Sequence, residues 1–83
     1  MHITVRYFAS IREGLGASTE AVETAALTVA GLRAELRARS PAHATLLAEG
    51  RAVRTALDQV LCEPTAPLHE GCELAFFPPV TGG

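Results

Sequence analysis

Near the start of the chain Ile3, Val5 and Tyr7 recur with period two, with Thr4 and Arg6 between them. That alternation predicts a half-buried strand over residues 2–9. Phe8 is the odd member, a large apolar group on the face that Thr4 and Arg6 make polar. Ser10 to Gly16 carries two glycines and reads as a connection. A weaker strand is expected around Ser18–Thr24, with Glu20 and Glu23 on it.

Residues 28–39 carry the clearest helical pattern. Val29, Leu32 and Leu36 stand at i, i+3 and i+7, one apolar stripe. Thr28 is a good N-cap, and Leu27 and Leu32 occupy the positions of a hydrophobic staple. Arg33 and Arg37 lie one turn apart on another face, which reads as solvated, and Glu35 can pair with Arg39. Ser40-Pro41 stops the helix. A short helical turn around His43–Glu49 supplies Leu46 and Leu47, with Gly50 placed to close it.

Two short strands follow near Ala52–Leu57 and Val60–Cys62, joined at Asp58-Gln59. Glu70-Gly71 signals a turn, and the last strand is Cys72–Phe77. Cys72, Leu74 and Phe76 share one face of it; Glu73, Ala75 and Phe77 share the other. Cys62 has the parity of Val60, so both are expected inside and Leu61 outside. The order is β-β-α-(short helix)-β-β-β. With one main helix to cover one face of a mixed sheet, the class is α+β.

The 83 residues fit one small domain with a thin core, which disfavours a deep private active site. No apolar run approaches the ~18 residues of a membrane helix, and the alternating N-terminus lacks a signal-peptide pattern. A cytoplasmic protein is expected, without a membrane partner. A net charge of −2 argues against nucleic acid. All seven cationic side chains are Arg, so no lysine amine exists here to accept an acyl group. Cys62 and Cys72 show no ligand spacing, so no metal site is expected, and a cytoplasmic disulfide is not expected either. His2, His43 and His69 are scattered and read as structural or surface residues. The conventional catalytic inventory is therefore nearly empty.

What remains is the end of the chain, Phe-Phe-Pro-Pro-Val-Thr-Gly-Gly. Pro78 and Pro79 end the strand, since neither can donate to a ladder. The division is a domain over residues 1–77 and an extended tail over 78–83. That tail, Pro78, Pro79, Val80, Thr81, Gly82 and Gly83, can reach roughly 20 Å beyond the body. Two glycines can pass a narrow channel and leave the terminal carbonyl open to another protein's groups. A bare Gly-Gly end also has a plainer reading, a flexible terminus.

The whole chain resembles the ubiquitin-like β-grasp proteins and, more specifically, the family of molybdopterin synthase small subunits (the MoaD family). Four stretches carry the resemblance: Ile3–Ala9 with Ile11-Arg12-Glu13; Thr28-Val29 with Leu32-Arg33 to Leu36; Asp58-Gln59, where that family usually has Asn-Gln; and Pro67-Leu68, Glu70-Gly71 and Glu73 to Gly83. Cys72 departs from it, standing where an acid is more usual. The resemblance implies a β-grasp fold, a mixed sheet of about five strands on one main helix plus a short second helix. It implies that Gly83 is the working residue. An activating enzyme related to ubiquitin E1, using ATP and magnesium, would adenylate its carboxylate, and a sulfur donor would convert it to a thiocarboxylate. The sulfur would pass to cyclic pyranopterin monophosphate in a large subunit that supplies the catalytic side chains, within a heterotetramer. No cofactor would be held permanently. Other expectations left open are a sulfur carrier for thiamine, cysteine or tRNA thiolation, and a protein modifier. Phe8, Leu61 and Phe77, apolar on the outward face, are the expected partner interface, the plain alternative being burial under loops.

Overall fold

The computed structural model describes residues 1–79. The period-two run at the N-terminus forms β1 (His2–Tyr7) and continues directly into α1 (Ala9–Leu15). β2 (Thr19–Glu23) returns antiparallel to β1. α2 (Val29–Arg37) and α3 (Pro41–Leu46) follow. The chain then closes with β3 (Arg54–Leu57), β4 (Val60–Cys62) and β5 (Glu73–Phe77). The five strands lie in the order β2-β1-β5-β3-β4. β5 runs parallel to β1 and antiparallel to β3, so the first and last strands are central neighbours.

One face of this mixed sheet makes the core. Ile3, Val5, Tyr7, Leu74 and Phe76 turn inward and meet Val29, Leu32 and Leu36 of α2. Tyr7 and Phe76, opposite each other in the β1–β5 register, stack with ring centroids 6.1 Å apart. Thr28 caps α2 as expected, its side chain accepting the Gly31 N–H at 3.2 Å.

Several expectations need correction. Residues 9–15 are a helix, not a connection. Its first turn has no side-chain cap; it is held by Ile11, buried in the core, and by the close approach of α3 at Gly14, where a Cβ would stand 2.6 Å from Leu46. The second short helix starts earlier than expected, because Ser40 caps it and Pro41 takes the first turn. It closes at Leu47, not at Gly50. Leu27 is 74% exposed and forms no staple; its carbonyl instead accepts the Leu68 N–H. Glu35 accepts from Thr24, and Arg39, just past the end of α2, pairs with Glu20 at 3.1 Å, so Glu35 and Arg39 do not pair with each other.

Arg33 is only partly exposed, and its guanidinium is engaged. Its Nε donates to the Leu47 carbonyl at 2.8 Å and its Nη2 to Ala48 at 2.6 Å. A guanidinium therefore completes the orphan carbonyls at the end of α3. Val60 is 68% exposed and Cys62 only half-buried, despite core-face parity. Both lie on the edge strand β4, and a cleft bordered by Val29, Arg33 and Cys62 lies on its core side.

Candidate functional site

The outward face of the sheet carries the candidate site. Pairing registers place Leu61, Ala56, Ala75 and Arg6 in one row across β4, β3, β5 and β1. Phe77 is two residues beyond Ala75 on the same face, and Phe8 extends β1 beside it. Ala56 and Ala75 are buried although, among the described residues, no second layer of secondary structure covers this side. Larger neighbours shield them. The result is an apolar groove of about 710 Å³, walled by Phe8 and Phe77, floored by the two alanines and continued by Pro78 and Pro79.

Polar groups are confined to its edges. The Arg6 guanidinium lies over the Phe8 ring, 5.1 Å from the centroid, and 3.8 Å from Glu73. Stacking a cation on the ring keeps the arginine stem over apolar surface while its charge stays wet. Gln59, from the β3–β4 turn, borders the groove at the Glu73 end.

Of the expected site residues, Phe8, Phe77, Pro78 and Pro79 come together around this groove. Leu61 lies on the same face, 61% exposed, at the outer end of the alanine row. Val80, Thr81, Gly82 and Gly83 lie outside the described residues. Sequence reasoning missed Arg6, Ala9, Ala56, Gln59 and Ala75. The parity of Ala75 with Phe77 was a usable signal. For Gln59 the signal was weaker, a glutamine where a tight hairpin prefers glycine.

The core side holds a different constellation. Tyr7 donates to Glu20 Oε2 at 2.7 Å, and His43 Nε2 is 3.0 Å from the same oxygen. A carboxylate only accepts, so Nε2 carries a proton; in the neutral ring Nδ1 then accepts from the Ser40 hydroxyl, 2.8 Å away. Burial works to raise the Glu20 pKa, but bonds from Tyr7 and His43, with the charges of His43 and Arg39, bring it below its ordinary value. Burial, then Glu20, push Tyr7 far up, so it stays a neutral donor. This cluster ties β1, β2 and α3 together. Ser40 is already committed to capping α3, which leaves no free nucleophile here.

Among the described residues no group of three or more His, Cys, Asp or Glu side chains could hold a metal ion. Nor is any helix among them long and apolar enough to cross a membrane. The thiols of Cys62 and Cys72 are free. The most prominent apolar feature of the outward face is therefore the groove between Phe8 and Phe77.

Residues 5–83 match the model of the ThiS family. The chain belongs to that family. This ThiS-family chain is 45% identical to the molybdopterin synthase sulfur carrier subunit of Escherichia coli, over 98% of this chain and 99% of that one. It is 33% identical to the corresponding subunit of Haemophilus influenzae, over 98% and 99% of the two chains. The fold is that of SAMP1 from Haloferax volcanii, with a TM-score of 0.83, 25% identity and full coverage of both chains. It is also that of a chain in the complex of subunits 1 and 2 of molybdopterin-converting factor from Helicobacter pylori, with a TM-score of 0.68, 27% identity and full coverage. The ThiS-family assignment and these neighbours agree with the ubiquitin-like β-grasp architecture.

Proposed function

We propose that this protein is the sulfur-carrying subunit of a molybdopterin synthase and that Gly83 carries the sulfur. The observation that carries this reading is the end-to-end similarity to the Escherichia coli sulfur carrier subunit. The apolar groove that leads into Pro78 and Pro79 supports it, because it sets a docking face at the root of the tail.

The chemistry follows from what a terminal carboxylate can do. It is ionised at neutral pH and a poor electrophile. An activating enzyme related to ubiquitin E1 joins it to the adenylyl group of ATP, with magnesium, and pyrophosphate leaves. A sulfur donor then displaces AMP and leaves a thiocarboxylate on Gly83. The loaded tail enters the large subunit and passes its sulfur to cyclic pyranopterin monophosphate; two sulfurs make the dithiolene of one molybdopterin. Activation divides one difficult displacement into easier ones. Proton transfer and substrate binding fall to the large subunit, in keeping with the empty catalytic inventory here. Phe8, Leu61 and Phe77 form the surface that meets the large subunit and the activating enzyme in turn, in the cytoplasm, and the assembled synthase is a heterotetramer.

A second reading is a protein modifier, favoured by the likeness to SAMP1. Reconstitution separates the two. The protein bearing a terminal thiocarboxylate is mixed with a molybdopterin synthase large subunit and cyclic pyranopterin monophosphate, and molybdopterin is assayed. Product from the thiocarboxylate form and none from the carboxylate form is expected. A complex without product would move the function to another sulfur-transfer pathway, and lysine conjugates in place of product would favour the modifier.

A further inference from the structure

Three non-glycine residues among those described have a left-handed backbone, and two of them line the outward groove. Ala9 (φ 52°) and Gln59 (φ 70°) line it, and Asp58 (φ 49°) precedes Gln59. Residues held in this region persist only where the surroundings over-determine them, and they collect at binding sites. Asp58 has a local reason for its conformation. Its N–H donates to the Glu73 carbonyl at 2.8 Å, its Oδ1 accepts the Glu73 N–H at 2.9 Å, and its Oδ2 lies 2.8 Å from His69 Nε2.

Gln59 has no such return. Leu57 pairs with Val60, so Asp58-Gln59 is a two-residue hairpin turn with positive φ at both positions. That is a type I′ turn, in which glycine is favoured at the second position. Glycine would close the hairpin with less strain. Instead the chain places there a long side chain whose amide takes no hydrogen-bond partner among the described residues, at the edge of a groove floored by Ala56 and Ala75. An amide can donate and accept at once, and so matches a peptide group in both directions.

Resting on the function proposed above, we propose that Gln59 is a recognition residue of the docking face: its side-chain amide pairs with a main-chain peptide group of the large subunit, beside the apolar segment that fills the groove. The strained turn is retained because it delivers this amide. Glycine would improve the fold and lose the contact.

The test measures stability and affinity on the same variants, with a purified molybdopterin synthase large subunit as the probe. Gln59→Gly should raise the urea midpoint and weaken binding about five- to tenfold, the loss expected for one hydrogen bond. Gln59→Ala keeps the strain and removes the amide. It should weaken binding to the same extent with no gain in stability. Wild-type affinity in both variants would overturn the inference, and so would a loss confined to one of them, because that would trace to the backbone. If the unsubstituted protein itself fails to bind the large subunit, the proposed function falls and this inference with it.

Discussion

At the scale of single residues, Asp58 shows how a side chain holds a turn and adds a pH dependence to it. Its bond from the Glu73 N–H, then its bond from His69, keep its carboxyl below the ordinary range. The bond to Asp58, then the Glu70 carbonyl, raise His69 above its ordinary value near 6.5. The two signs bracket a window. The Asp58 contribution is present above its unfolded value near 3.8 and is lost as pH falls through its folded value. The His69 contribution is present below its unfolded value and is lost as pH rises through its folded value. The pair therefore stabilises most between about pH 4 and about 6.5. Both side chains are exposed, so the effect is small and salt weakens it. Asp58→Asn keeps a side chain suited to the left-handed backbone and removes the charge. The difference in Tm between the native protein and this variant should peak inside that window and shrink on either side. A difference that stays level from roughly pH 3 to 9 would show that the charges contribute nothing.

At the scale of elements, Glu20 joins three of them. Its carboxylate receives Tyr7 from β1, His43 from α3 and Arg39 from the segment after α2. Glu20→Ala leaves the Tyr7 hydroxyl and the His43 ring without their acceptor, at a cost of about 1–3 kcal/mol. Urea denaturation should show this loss, and adding His43→Ala should cost less than the sum of the single changes, because both act on one network. Additive losses would mean that the three bonds are independent. α2 was legible in the sequence because Thr28, Val29, Leu32 and Leu36 state a cap and a stripe within a few residues. α1 was not. Phe8 offers its first turn no side-chain cap, Gly14 and Gly16 argue against a helix, and what holds it is contact with α3, far along the chain. Val60 misled through parity, which says which face a residue takes and not whether that stretch of sheet is covered. On the outward face the same parity agreed with the placement of Phe8 and Phe77. Phe8 and Phe77 are large apolar residues on a polar face, whereas the floor is two alanines that carry little hydrophobic signal, and the strain at Gln59 exists only in the backbone.

At the scale of the molecule, the sheet divides its labour by face. The inner face is spent on the core with α2, and the outer is left to an apolar groove that reaches Pro78 and Pro79. Docking and chemistry should therefore fail separately. Phe77→Arg puts a charge into the groove wall while the core residues Leu74 and Phe76 keep their places. Its cross-strand neighbour is Arg54, so like-charge repulsion costs the fold about 0.2–1 kcal/mol. Burying that charge against a partner's apolar surface should cost at least about 2 kcal/mol of binding, roughly thirtyfold in Kd. Deleting Gly82 and Gly83 does the reverse. It removes the carboxylate on which the proposed chemistry rests and leaves the groove residues Phe8, Ala56, Ala75 and Phe77 unsubstituted, so the unfolding midpoint should stay unchanged and the large subunit should still be bound. Molybdopterin formation should nevertheless be abolished. Calorimetric titration against the large subunit, urea denaturation and the product assay on both variants read the three properties independently. Unchanged affinity in Phe77→Arg would remove the groove from the interface, and an active truncated protein would remove Gly83 from the chemistry. A truncation that lost binding entirely would show that the tail, and not the sheet, supplies the affinity. The groove would then have to serve some contact other than this one.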